Sequence, residues 1–137
     1  MTRFTAALLL SLAIIAPARK AVAHPRLVSA SPAANGHLAV APVEISVTFN
    51  ENVTLALSKL TLLNATRQPV ALDSLRSGSG GDSKTFLART IGTLAAGRYT
   101  VKWQAAGSDG HPMRGEFSFV VDAPPAPLKS PASAPRR

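Results

Sequence analysis

The chain has 137 residues, 46% hydrophobic and 16% charged, with a formal charge of +8 and no cysteine. The missing cysteine excludes a disulfide-stapled miniprotein, a thiolate zinc site, an iron–sulfur protein and a cysteine nucleophile. Eleven prolines and nine glycines argue against a helical bundle and for a small all-β domain, since helix interiors tolerate neither residue well.

Arg3 is followed by the apolar run Phe4 to Ala16. That run is too short to cross a bilayer as a helix but suits the core of a secretory signal. Ala21-Val22-Ala23 forms a small-x-small cleavage box, so residues 1–23 are read as a signal peptide and the mature chain as starting at His24. Without the leader's Arg3, Arg19 and Lys20 and the distal Lys129, Arg136 and Arg137, most of the positive excess is gone. The remaining cations are single and scattered. No nucleic-acid footprint is expected, and nothing after the leader is expected to hold the chain in a membrane.

Arg26 to Ser29 reads as an initial edge strand. Val43, Ile45, Val47 and Phe49 alternate with polar residues, which predicts a half-buried strand. Asn52 to Ser58 has room for one helical turn. Lys59 to Leu63 is a second β-like stretch, Val70 to Leu72 a short one, Ser77 to Ser83 a flexible loop, and Thr85 to Ala88 another strand. Tyr99, Val101, Trp103 and Ala105 alternate again, with Trp103 expected in the central core. Leu94-Ala-Ala-Gly97-Arg-Tyr99 is similar to a tyrosine corner. Phe117, Phe119 and Val121 close the domain. Strands spaced by frequent turn signals over about 100 residues predict a single Greek-key β-sandwich or barrel of about seven strands, immunoglobulin-like or cupredoxin-like, spanning residues 24–121. Residues 122–137 hold five of the eleven prolines and read as a disordered tail.

Two histidines carry the chemistry. Cleavage before His24 creates an α-amine that closes a six-membered chelate ring with Nδ1 of the same residue, and Pro25 supplies no amide nitrogen to compete. Asp109 and His111, in Ser108-Asp109-Gly110-His111-Pro112, lie two apart and converge on one side of an extended segment. Asp-Gly is equally a common hairpin turn. Together these residues offer amine, two imidazoles and a carboxylate, a nitrogen and oxygen set suited to Cu(II), with Ni(II) and Zn(II) as competitors. Met113 offers a lone thioether and reads as structural, and His37 reads as a surface histidine. No nucleophile elbow or phosphate loop is present.

The segments HPRLVSASPA, FNENV, GTLAAGRYTVKW and SDGHPMRGEFSFVV resemble the CopC family of periplasmic copper-resistance proteins from His24 to Val121. The resemblance implies a seven-stranded Greek-key fold and a Cu(II) site made by His24, Asp109 and His111, with Glu51 acting from beside it. It also implies a non-enzymatic periplasmic carrier that limits free copper, with a CopD-like inner-membrane importer as delivery partner. No methionine lies between His24 and Met113, so the reading is a Cu(II)-only member. Two competing readings are a copper oxidase of the polysaccharide-monooxygenase type and an immunoglobulin-like interaction module whose histidines are incidental.

Overall fold

Alternation in Glu44 to Phe49 produces a strand with one dry face. Ile45, Val47 and Phe49 are at most 1% exposed, while the residues between them stay half-buried. The computed structural model describes residues 24–124. Its strands are β1 (Leu27–Ser31), β2 (His37–Leu38), β3 (Glu44–Phe49), β4 (Lys59–Leu63), β5 (Pro69–Val70), β6 (Arg76–Gly78), β7 (Asp82–Arg89), β8 (Gly97–Ala106) and β9 (Pro112–Val121). They form two sheets, in the order β1-β3-β7-β6 and β2-β9-β8-β4-β5. The expected all-β sandwich is observed, its strand number raised by three short strands of two or three residues. The signal peptide and most of the Pro-rich tail lie outside the described residues.

The two inner faces meet in one apolar core. Ile45, Val47, Phe49 and Phe86 come from the first sheet, and Leu62, Val101, Phe119 and Val121 from the second. Phe49 stacks on Phe86 at 5.3 Å and meets Trp103 edge-on at 5.1 Å, which ties the sheets together. Each fully buried side chain of this size contributes about 1.5–3 kcal/mol of transfer free energy. The Tyr99 hydroxyl donates to the Ala95 carbonyl at 2.8 Å, forming the expected corner.

Four expectations need correction. Trp103 is half-buried rather than central, because its indole lies over Gly115, its partner on β9, at the margin of the core. Val43 is 74% exposed, because the sheet begins one residue later and nothing covers that end. Ser77 to Ser83 is not wholly a loop. β6 and the start of β7 run into it, joined through a 3₁₀ turn in which Gly80 and Gly81 take positive φ values of 68° and 79°. The short Val70–Leu72 strand is narrower than expected and comprises Pro69 and Val70, with Leu72 making an isolated bridge to Thr90.

The topology brings three chain segments to one pole. β1 begins where β3 ends, with Leu27 opposite Phe49, and β8 ends where β9 begins, with Ala106 opposite Pro112. Residues 50–54 join these ends. The Arg26 amide donates to Asn50 Oδ1 at 2.7 Å and the Asn50 amide to the Arg26 carbonyl at 3.1 Å, while the Thr54 amide donates to the Ala106 carbonyl at 2.8 Å. The segment at Arg26, the segment around Glu51 and the loop of Asp109 therefore share one end of the sandwich.

Candidate metal centre

Pro25 is among the fully buried residues although it lies next to the first described residue, His24, which is exposed. Its ring packs against Gly107: a β-carbon built there would stand 3.3 Å from Pro25 Cδ and 3.5 Å from Asp109 Oδ1. The absence of a side chain at Gly107 thus lets Pro25 and the Asp109 carboxylate both come close. Gly107 was not singled out in the sequence. Its only signal there is its place at the head of the Gly-Ser-Asp-Gly-His turn.

That turn closes with the Gly110 amide donating to the Gly107 carbonyl at 3.0 Å, and Gly110 takes a φ of 76° that favours glycine. Asp109 faces back over it. Its Oδ1 accepts the His111 backbone N–H at 3.1 Å, and its Oδ2 lies 3.0 Å from His111 Nδ1. The two side chains differ in access, at 16% exposed for Asp109 and 77% for His111. The His111 amide, then its ring, hold the Asp109 carboxyl below its ordinary value. Burial opposes this, and charge attraction from His111 and then His24 adds a smaller pull.

Asp109 and His111 are thus in direct contact, with His24 close enough to act on Asp109 electrostatically. No group of three His, Asp or Glu side chains among the described residues is already gathered as a metal cage. The His111 ring is turned onto its neighbour's carboxylate. Glu51, in the segment that joins the Arg26 side to the Asp109 side, has an Oε1 that is buried without a hydrogen-bond partner. A buried orphan acceptor is costly and suits a site that a cation enters.

Two other sequence candidates are His37 and Met113. His37 is an exposed histidine, as expected, but it is paired with Asp122 at 3.1 Å; the parallel contact of β2 with the end of β9 creates that pair at the opposite pole. Asp122 also donates its amide to the Leu38 carbonyl at 2.8 Å. Met113 is 36% exposed and faces Ala105 across β8 and β9.

Comparison with known proteins agrees with the fold. Over 106 residues the chain is 39% identical to copper resistance protein C of Pseudomonas syringae pv. tomato, covering 74% of this chain and 82% of the relative. The crystal structure of CopC from Methylosinus trichosporium OB3b superposes with a TM-score of 0.66 at 32% identity, covering 72% of this chain and 94% of the other. PcoC from Escherichia coli, described as a methionine-rich copper resistance protein, superposes with a TM-score of 0.66 at 34% identity, covering 73% of this chain and all of the other. This chain has only two methionines. A family model described as the CopC domain matches residues 27–122, which is nearly the whole sandwich, and the chain belongs to the CopC family.

Proposed function

We propose that this chain, trimmed to His24 after export, is a periplasmic protein that binds one Cu(II) and sequesters or carries it in copper homeostasis. The α-amine and Nδ1 of His24, a carboxylate oxygen of Asp109 and a ring nitrogen of His111 form the donor set, and the unpartnered Glu51 carboxylate acts from beside it. The observation that carries this reading is the Asp109–His111 pair, with the chain start packed against the same turn through Pro25.

The pair is suitably spaced for a shared ion. Metal–nitrogen and metal–oxygen bonds of roughly 2.0–2.1 Å at right angles put two donors about 2.9 Å apart. Nδ1 and Oδ2 stand 3.0 Å apart, so a cation replaces their hydrogen bond with little movement. A tetragonal nitrogen and oxygen set suits Cu(II). Cu(I) prefers sulfur, and Met113 is the single thioether of the described residues.

The relatives' names support a role in copper resistance. Among the described residues every aromatic side chain is buried or half-buried, so none forms a flat platform for a polysaccharide. This supports a carrier over an oxidase; the recipient we propose is a CopD-like inner-membrane importer. The test is calorimetric titration of the protein starting at His24. One Cu(II) per chain is expected, with affinity falling steeply when His24 is removed or one residue is added before it, and barely when His37 is replaced. Equal losses at His24 and His37 would sink the assignment.

A further inference from the structure

The charged residues are distributed unevenly over the two outer faces. On the side of the four-stranded sheet, Arg76 and Arg89 lie 3.6–3.8 Å from Glu44, and Arg76 also lies 3.6 Å from Asp73. The outer face of the five-stranded sheet holds an open groove of about 380 Å³, lined among others by Lys59, Leu63, Lys102, Trp103, Gln104 and Arg114. Its three cations have no ion-pair partner among the described residues. Glu116, the carboxylate opposite Lys102 on β9, is instead 3.9 Å from Arg67.

Two of the cations share one cross-strand row, and Lys102 lies two residues along β8 from it, between Thr61 and Glu116. Strand pairing aligns Lys59 with Gln104 and Gln104 with Arg114. Gln104 donates to the Leu57 carbonyl at 3.1 Å and accepts from Arg114 Nε at 2.9 Å, which fixes the guanidinium while leaving its two terminal nitrogens without a partner among the described residues. A fixed guanidinium beside two lysines is complementary to carboxylates. The groove is too open to enclose a small molecule, whose sites bury most of the ligand, but its mixed apolar and cationic floor matches a protein interface.

We propose that this groove is a docking face for an acidic segment of a partner protein. Carboxylates of that segment meet Lys59, Lys102 and Arg114, and an apolar side chain rests on Leu63. The row ends at Arg114, three positions along β9 from His111, so a docked partner lies beside the proposed copper site. The docking stands on the groove alone; that the partner exchanges copper rests on the function proposed above.

The test titrates the metal-free protein starting at His24 with a short polyglutamate peptide at low salt, following backbone amide shifts. The expected result is saturable binding, weakened by salt, with shifts on β4, β8 and β9. K59E/K102E/R114E should weaken it at least about tenfold, while K84E on the opposite sheet leaves it unchanged. Should the triple variant unfold, K59Q and R114Q serve singly, each expected to weaken binding measurably. No binding, shifts elsewhere, or equal loss in K84E overturns the proposal, as does binding of anionic lipid vesicles with the same charge dependence but not of the peptide. Copper titration of the triple variant separates the two ideas, because lost docking with retained copper binding leaves the carrier function intact.

Discussion

Pro25 lies against Gly107 so closely that a β-carbon at position 107 would stand 3.3 Å from its Cδ. The proline is fully buried and immediately follows His24, so this contact fixes where His24 sits relative to Asp109. The site's geometry therefore depends on a missing side chain as much as on its donors.

Gly107→Ala is expected to push the Pro25 ring by a few tenths of an ångström and carry His24 with it. Overpacking of this kind costs about 1–3 kcal/mol, and because the chain start is the easiest part to move, Cu(II) affinity should fall by about tenfold. Gly92→Ala is the control. Its φ of 84° makes alanine strained, yet a β-carbon there meets nothing within 4 Å. It should lower stability by about 1–2 kcal/mol and leave the affinity alone. Calorimetric titration of both variants checks this, and unchanged affinity in Gly107→Ala would refute the positioning role of Pro25.

The Asp109 carboxyl should titrate below its ordinary value, chiefly because the His111 backbone N–H bonds to it and secondly because of the His111 ring. In His111→Ala the amide remains, so the carboxyl should move only part of the way back. The sign follows from linkage. A carboxyl lowered in the folded state contributes stability that is complete above its unfolded value, roughly 3.9, and is lost as pH falls through the folded value. Acid sensitivity from this group therefore lies below about pH 4. Carbon-detected NMR titration of both proteins reads it, and full return to the ordinary value in His111→Ala contradicts the backbone origin.

The legible parts of the fold were those where one face is wet and the other dry. The alternation in Glu44–Phe49, Tyr99–Ala105 and Phe117–Val121 marks the strands that carry most of the core. Alternation does not say where a sheet stops, which is why Val43 matches the pattern and still ends in solvent. β6 and the turn after it are Ser- and Gly-rich and hold their place through backbone bonds to β7, which no side-chain pattern reports. At the site, Asp109 and His111 are legible because two residues suffice to bring them together. The contact of Pro25 with Gly107 and the pairing of His37 with Asp122 are set by strand pairing across more than eighty positions, and nothing local announces them.

Tyr99→Phe removes the hydroxyl bonded to the Ala95 carbonyl while keeping the ring stacked on Phe119 at 5.5 Å. Ala95 is exposed, so water replaces the lost donor and the cost should stay near 1 kcal/mol. The corner is far along β8 from Asp109, and Cu(II) affinity should not change. Urea unfolding and calorimetry together test this. A loss of several kcal/mol would mean the corner holds more of the fold than one hydrogen bond.

Gly115→Ala should have the opposite character, a steric rather than a bonding effect. A β-carbon there would overlap Trp103 Cζ2 and stand 2.7 Å from Cε2, too close for any contact between them. The indole is half-buried at the margin of the core, so the open route for it is sideways into solvent. Leaving its place forfeits the edge-on contact with Phe49, worth about 0.5–1.5 kcal/mol beyond simple burial. The variant should unfold at lower urea, by about 1–3 kcal/mol, and Trp103, the only tryptophan, should emit at longer wavelength as water reaches it. Emission unchanged from the parent protein would show that β9 yields instead of the indole, and the first casualty would then be the register that sets Arg114 beside Gln104.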